Sequence, residues 1–140
     1  MASRSMVKPD IAKMWSLHYR FISSVIRSVT PAIAELGLEA KELFLLAAVD
    51  DHPHPAELSA ACLIPKPTVT MYIKRLESAG FLKREIDSAD LRRHRLTLTA
   101  EGRKVTKRGM SMIAEAFGHR LARLGVSEQQ ELHELLEKLV

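Results

Sequence analysis

Residues 64–102 of this chain contain a helix pattern that passes directly into a strand pair. Apolar residues recur there at spacings of three and four, as on the inward face of a helix. These residues are Val69, Tyr72, Ile73 and Leu76. The Ala79-Gly80 pair ends the helix, and residues 81–86 can then pair with residues 96–99 as a β-hairpin. The sequence therefore predicts a helix with a hairpin, or wing, directly behind it.

Positive charge is concentrated in the same part of the chain. Residues 66–108 hold twelve Lys/Arg and five Asp/Glu, a net charge of +7, whereas all other residues hold nine and twelve, a net charge of −3. Charge gathered on one segment indicates a polyanionic partner, although a solvated basic surface is the plain alternative. A helix followed by a wing can enter the DNA major groove while the wing reaches the flanking backbone or minor groove. The pattern predicts a regulator that binds double-stranded DNA.

The outer face of this predicted recognition helix is small, polar and basic. Its residues are Lys66, Pro67, Thr70, Met71, Lys74 and Arg75. Threonine hydroxyls and lysines can bond phosphates or base edges, and the methyl groups of threonine and methionine can contact thymine methyls. Each residue alone would fit a solvated helix surface at least as well. Their combination with the wing favours DNA contact.

Arginines gather near the tip of the predicted hairpin, at positions 92, 93 and 95. Because neighbouring side chains of a strand point to opposite faces, they cannot all reach one target. Arg92 is the strongest candidate for the minor groove, since narrow grooves attract guanidinium groups. Acidic residues here would repel phosphate if free, so we expect Asp87 and Asp90 to hold the tip by pairing with Arg84, Arg92 or Arg93. The predicted wing residues are Arg84, Asp87, Asp90, Arg92, Arg93 and Arg95.

Helical patterns fill most of the remaining chain. An amphipathic helix begins near Ile11, and Thr30-Pro31 is expected to interrupt it, leaving a short piece that ends at Gly37. Ser127 with Gln130 resembles a capping box that opens the last helix. The other helices are predicted over residues 39–49, 56–63, 66–78 and from 100 onward.

Apolar stripes at 11–29, 105–121 and 132–139 exceed what one small core needs. They most simply pack against a second copy of the chain, although they could instead fold back as an ordinary helical bundle. We therefore predict one domain over 1–140, mainly α with a small β-hairpin wing, an α+β fold. A winged helix-turn-helix lobe would occupy about 38–100, flanked by dimerisation helices at about 8–36 and 101–140.

Cysteine content and hydropathy bear on the compartment. A single cysteine excludes an internal disulfide and suggests a reducing environment. The longest apolar run, residues 43–49, is far shorter than the ~20 residues of a membrane span, and the first residues lack the apolar core of a signal peptide. We expect a soluble, cytoplasmic protein that contacts no membrane.

Several of these segments resemble the MarR-type winged-helix regulators. The resemblance rests on residues 38–46, on 69–84, on the wing signature Asp87-x-x-Asp90-x-Arg92, and on Leu98-Thr99-x-x-Gly102. It extends over nearly the whole chain, because the flanking helices fall where the dimerisation helices of that family do. The resemblance implies a homodimer on a pseudo-palindromic operator, usually a repressor released by a small ligand.

The resemblance also implies site residues. It makes Asp90 and Arg92 the wing pair, and it places Thr68, Thr70, Met71 and Lys74 at or near the base-reading surface. Pro65 departs from the family, since many members have a Ser or Thr cap there, and Met71 stands where an arginine is common. For a phenolic or carboxylate effector, the resemblance points to a pocket between the dimerisation helices and the lobe: Trp15, His18, Arg20 and Phe44. Such residues on an apolar stripe more often belong to the core.

Other chemistries have little support in the sequence. There is no phosphate-binding glycine loop and no nucleophile elbow, so we expect no enzyme and no cofactor. His52 and His54 lack partners at metal-ligand spacing, so no metal site is expected. Cys62 is expected in the core beside Leu58 and Leu63 rather than as a redox sensor. The alternative function is an architectural DNA- or RNA-binding protein without sequence preference.

Overall fold

The computed structural model describes residues 7–140, which form six α-helices and one antiparallel hairpin. The elements in chain order are α1 (Ile11–Glu35), α2 (Ala40–Ala48), α3 (Pro55–Cys62), α4 (Lys66–Ser78), β1 (Leu82–Ile86), β2 (His94–Leu98), α5 (Ala100–Leu121) and α6 (Val126–Leu139). Helices α3 and α4 form the helix-turn-helix, and the hairpin follows α4 directly. The predicted mainly α fold with a hairpin wing is confirmed.

The buried face of α4 is the one that its periodicity predicts, since Val69, Tyr72, Ile73 and Leu76 are all buried. They join side chains from α1, α2, α3 and the hairpin in one continuous core. The core residues are Val29, Ile33, Leu38, Leu43, Leu45, Leu46, Val49, Leu58, Ile64, Val69, Tyr72, Ile73, Leu76, Leu82, Leu96 and Leu98. This core fixes the orientation of α4 relative to the wing.

The wing is a two-stranded hairpin whose register joins Leu82 to Leu98 at its base and Ile86 to His94 next to the tip. Gly80 makes the turn into β1 with φ +80°, a left-handed conformation that suits glycine. The amide of Leu96, in β2, donates to the carbonyl of Pro53, which lies outside the hairpin, at 2.8 Å. The wing is therefore attached by backbone hydrogen bonding to the loop before α3.

The predicted interruption at Thr30-Pro31 is wrong, because α1 continues through Pro31 to Glu35. Proline lacks an amide hydrogen, but Ile33, beyond it, is fully buried against the core. Tertiary packing of this last turn therefore outweighs the weak local preference. The predicted end at Gly37 is confirmed: its φ is +81° and its amide donates to Ala34.

The beginning of α6 also differs from the prediction. The N-cap is Gly125, whose amide donates to the Glu128 carboxylate at 2.9 Å, so Ser127 and Gln130 do not form the predicted capping box. The Gln129 side-chain amide instead donates to the carbonyls of Leu121 and Leu124, closing the turn out of α5. These hydrogen bonds attach the first turn of α6 to the end of α5.

Candidate nucleic-acid interface

The outer face of α4 is open to solvent along its length. Lys66, Pro67, Thr70, Met71, Lys74 and Arg75 are exposed, and Thr68 is half-buried. Because the opposite face is held in the core, these side chains are presented on a rigid support rather than on a mobile loop. The Thr70 hydroxyl donates to the carbonyl of Lys66 at 3.0 Å, which leaves its oxygen as an acceptor and its methyl free.

Arg75 is not a free cation on this face. Its guanidinium lies 3.2 Å from Oε1 of Glu39 and 3.3 Å from Oε1 of Glu42. Glu42 is buried and also accepts the backbone amide of Glu39, while the Tyr72 hydroxyl donates to Glu39 at 2.9 Å. Arg75 thus neutralises the buried Glu42 carboxylate at the start of α2. The predicted contact of Arg75 with DNA would have to compete with these ion pairs. The spacing of residues in the sequence did not indicate that Glu39 or Glu42 would pair with Arg75.

The free energy of unfolding depends on pH through a cluster formed by Glu39, Glu42, Tyr72 and Arg75. The side-chain hydrogen bond from Tyr72, followed by that from Arg75, holds the pKa of Glu39 below its ordinary value of 4.5. A carboxyl whose pKa is lower in the folded state stabilises the fold above its unfolded pKa and loses that contribution as the pH falls through the lowered value. We expect Tyr72→Phe to flatten the fall in unfolding free energy below pH 4.5, measured by urea denaturation.

Tyr19→Phe is the matched control for this prediction, because Tyr19 is exposed on α1. It should keep the acid dependence of the wild-type protein. Equal slopes for the wild type and Tyr72→Phe below pH 4.5 would contradict the role given to the Tyr72 hydrogen bond.

The side chain of Arg92, at the tip of the wing, is 91% accessible. The carboxylate of Asp90 accepts from both the backbone amide of Arg92 at 3.1 Å and its Nε at 3.2 Å. The hydrogen bond from Arg92 also lowers the pKa of Asp90. The predicted pairing of Asp90 with Arg92 is therefore present. It orients the guanidinium at the tip while leaving its terminal nitrogens outward.

The other wing residues are held differently from the prediction. Within residues 7–140, Asp87 pairs with no arginine: its Oδ2 lies 3.2 Å from Nε2 of His54, and its Oδ1 accepts the amide of Ala89. Arg84 pairs with Glu77 of α4 at 2.7 Å, and Arg93 with Glu57 of α3 at 3.4 Å. The partners His54, Glu77 and Glu57 lie outside the hairpin, so spacing within the hairpin could not indicate them.

Arg95 is exposed on β2 and lies opposite Glu85 in the hairpin register. Arg84 and Arg93 brace the wing against the helices, whereas Arg92 at the tip and Arg95 on the strand keep accessible charge. The structure therefore brings the outer face of α4 and the arginines of the wing into one region with two kinds of cation. Some are paired with acidic residues of neighbouring helices, whereas Arg92 and Arg95 remain exposed.

Comparison with known proteins decides the family. A model of the MarR family matches residues 36–93. The chain is 32% identical over 133 residues to the HTH-type transcriptional repressor Rv2887 of Mycobacterium tuberculosis, an alignment that covers 93% of this chain and 95% of that protein. The chain belongs to the MarR family.

Further comparisons agree with this assignment. The crystal structure of Rv2887 with p-aminosalicylic acid matches with a TM-score of 0.74 at 30% identity, covering 89% of this chain and 95% of that one; Rv2887 also has a structure with salicylic acid. The Escherichia coli transcriptional regulator HosA is 32% identical over 98 residues, covering 69% of this chain and 73% of that protein. Escherichia coli MarR, 18% identical, shares the fold with a TM-score of 0.78 over 96% of this chain and 98% of that one.

Family membership confirms the class that the sequence predicts, a winged helix-turn-helix regulator that binds DNA. In the structure α4 is the second helix of the helix-turn-helix, and Arg92 lies at the tip of the wing that follows it.

The residues expected around an effector do not meet in one cavity of the protomer. Trp15 and His18 lie on the exposed half of α1 with ring centroids 6.4 Å apart. Phe44 lies on α2, where its carbonyl contacts Cys62. Arg20 instead contributes to a cavity of about 600 Å³ between α1 and the end of α5, together with Tyr19, Ser24, Arg27 and Arg120.

Within residues 7–140, no group of three or more His, Cys, Asp or Glu side chains is arranged to hold a metal ion. Burial raises the pKa of the Cys62 thiol, which disfavours the reactive thiolate. The predicted neighbour Leu63 is wrong as a core residue: it is 90% exposed, because it makes the turn between α3 and α4 in the left-handed region with φ +54°.

Within residues 7–140, no single helix is long and apolar enough to cross a membrane. Helices α1 and α2 meet the length and composition criterion only as a pair, bent by 86° at the break between them.

Proposed function

We propose that this protein is a homodimeric transcriptional repressor in the cytoplasm, which binds a pseudo-palindromic operator and is released from it by a small-molecule effector. The observation that carries the proposal is the pairing of an exposed, rigidly supported α4 face with an arginine at the tip of the adjacent wing. The name of its relative Rv2887, a transcriptional repressor, supports the direction of regulation.

Each part of this surface has a separate role in the proposal. Lys66 and Lys74 neutralise phosphates along the edges of the major groove, and Thr68, Thr70 and Met71 lie at the base edges, where their methyl groups suit thymine. Pro67 lies in the first turn of α4, where its missing amide hydrogen costs nothing. Arg92 enters the flanking minor groove, with Arg95 on the backbone beside it.

The homodimer is supported by apolar surface that the protomer leaves uncovered. Ile11, Met14 and Trp15 are 65%, 53% and 67% exposed on the first turns of α1, and Leu139 is 82% exposed on α6. No residue of α6 is buried within the described part of the chain. Exposed apolar side chains at both ends of the chain support the proposal that residues 8–36 and 101–140 form the dimer interface.

An aromatic carboxylate is the effector class that fits best. The ligands in the Rv2887 structures, p-aminosalicylic acid and salicylic acid, belong to this class. In this chain, Arg20, Arg27 and Arg120 line a cavity whose volume of about 600 Å³ is that of a small-molecule site. Trp15 and His18 would complete the pocket from the exposed half of α1, and Phe44 from the lobe, as the dimer forms.

Selection of bound sequences from random duplex DNA tests the proposal. Purified protein with excess unrelated competitor should enrich an inverted repeat whose half-sites lie about one helical turn apart. Salicylate should then release the protein from that duplex, whereas benzyl alcohol, which lacks the carboxylate, should not. Binding at low salt without enrichment would instead support the alternative, an architectural DNA- or RNA-binding protein.

Arg92→Ala is expected to weaken operator binding by about 10- to 100-fold, because it removes the guanidinium at the tip of the wing. The dimer should remain intact, since Arg92 lies at the wing tip, outside the proposed dimer helices, and its side chain is 91% exposed. Fluorescence anisotropy at physiological salt measures the change.

The matched control is Lys83→Ala, which removes the same charge from β1, where Lys83 pairs with Glu85 at 3.0 Å. This variant should lose little affinity. If Arg92→Ala binds as tightly as Lys83→Ala, Arg92 has no role in the minor groove.

A further inference from the structure

One histidine outside the wing holds the two ends of the wing tip. His54 is the N-cap residue of α3. Its Nε2 lies 3.2 Å from Oδ2 of Asp87, and its Nδ1 lies 3.1 Å from the backbone oxygen of His94. Asp87 directly follows β1 and His94 begins β2, so these residues flank the tip. A single ring therefore joins both ends of the loop that carries Arg92.

The contact is sheltered from solvent and reinforced by its neighbours. The side chains of His54 and Asp87 are 12% and 10% exposed. The amide of Asp87 donates to the carbonyl of Arg93 at 2.9 Å, which closes the loop. Beside the ring, the carbonyl of Pro53 accepts the amide of Leu96. The position of the tip relative to α3 thus depends on the ring of His54.

Both ring contacts are with oxygens that only accept hydrogen bonds. An ionised carboxylate and a backbone carbonyl carry no hydrogen, and a neutral imidazole has one N–H. His54 can therefore donate to Asp87 and to the carbonyl of His94 at the same time only as the imidazolium, with a hydrogen on each nitrogen. Loss of that proton removes one of the two contacts, together with the charge that pairs with Asp87.

The other charged groups around the ring are mostly engaged with one another. Glu57 of α3 pairs with Arg93, and Asp90 pairs with Arg92. Histidine is the side chain whose charge ordinarily changes between about pH 5 and 8. Two further histidines lie nearby, His52 in the preceding loop and His94 on β2, but His94 takes part through its backbone and its own side chain is exposed.

We propose that His54 is a positioning residue for the wing, and that the second proton on its ring couples operator affinity to pH. This inference rests on the operator binding proposed above. The protein binds an operator through Arg92 most tightly when the wing tip is held at both Asp87 and His94. Holding both ends requires the charged ring of His54. Because coupling between two binding events is reciprocal, protonation of His54 and binding of DNA strengthen each other by the same factor.

The test is the pH profile of DNA affinity, with the duplex enriched by the wild-type protein as the probe. At constant ionic strength, wild-type affinity should fall by about five- to tenfold between about pH 5.5 and 8. His54→Gln keeps a hydrogen-bonding side chain that does not titrate in this range, so its profile should be flat. The matched control His52→Gln, from the same loop, should retain the wild-type profile.

A His54→Gln variant that keeps the wild-type profile would overturn the proposal. A second measurement needs no variant: calorimetry in two buffers of different ionisation enthalpy should show proton uptake when wild-type protein binds the duplex near neutral pH. The absence of uptake would likewise overturn it.

Failure of the proposed function is distinguishable from failure of this inference. If the proposed function is wrong, the wild-type protein enriches no duplex. The two contacts of the His54 ring are then tested on the free protein by nuclear magnetic resonance. The amide signals of Ala89 and Leu96 should shift between about pH 5.5 and 8 in the wild type and not in His54→Gln, and signals that do not shift in the wild type would refute the role of His54.

Discussion

Gly102→Ala is expected to destabilise the protein by about 3 kcal/mol, or roughly 10 °C in Tm. Gly102 lies in the first turn of α5, against the backbone of Phe81. An added Cβ would lie 2.0 Å from the Phe81 carbonyl oxygen and 2.9 Å from its carbon. This oxygen also accepts the amide of Thr99, so it cannot move without opening the junction between the wing and α5. Urea denaturation at fixed protein concentration measures the loss.

Two other glycines of α5 provide a graded control. At Gly109 an added Cβ would lie 2.7 Å from both terminal carbons of the Leu43 side chain, which can shift more readily than backbone, so Gly109→Ala should cost less. At Gly118 nothing lies within 4 Å, so Gly118→Ala should be neutral or slightly stabilising. An order other than Gly102, Gly109, Gly118 would contradict the packing described for the junction.

Removal of residues 126–140 is expected to convert the dimer to a monomer and to weaken operator binding by about 100-fold or more. Within the protomer α6 buries no residue of its own, so its loss should leave the lobe folded. If α6 belongs to the interface, however, the two recognition helices become separate molecules and lose the advantage of linked binding. Sedimentation and fluorescence anisotropy measure the two effects.

A point substitution sharpens this experiment. Leu136→Asp places a charge on a half-exposed leucine of α6, whereas Ser127→Asp adds the same charge to the first turn of the same helix, where acidic residues are favourable. Only Leu136→Asp should weaken the dimer. A truncated protein that remains dimeric would refute the proposed interface, and a monomer with wild-type affinity would refute the advantage of linked binding.

Local periodicity was enough to predict the recognition helix and the wing. The spacing of Val69, Tyr72, Ile73 and Leu76 marks a helix face whatever lies opposite, and all four are buried. Alternation in residues 96–99 and the Ala79-Gly80 break likewise report the local backbone. Gly37 ended α1 as predicted for the same reason, since its φ of +81° is a local property of glycine.

Local rules failed where packing or competing hydrogen bonds decided the outcome. Pro31 ends a helix by propensity, yet α1 continues because the turn beyond it buries Ile33 completely. Ser127 has the right chemistry for a cap, but the Glu128 carboxylate and the Gln129 amide already close the turn from either side. Leu63 is apolar, yet the sharp turn between α3 and α4 leaves it 90% exposed.

The sequence alone determined that this chain has a helix with an apolar inner face, a basic wing behind it and the motifs of a DNA-binding family. Which charged side chains pair between elements depends on the tertiary structure. Arg75 is engaged by Glu39 and Glu42 of the α2 entry, Arg84 by Glu77, and Asp87 by His54, whereas Arg92 pairs with Asp90 of its own loop and stays exposed. The reason is physical: spacing along one element reports its own faces, but a charged group is engaged by partners from other elements that only folding brings within hydrogen-bond distance.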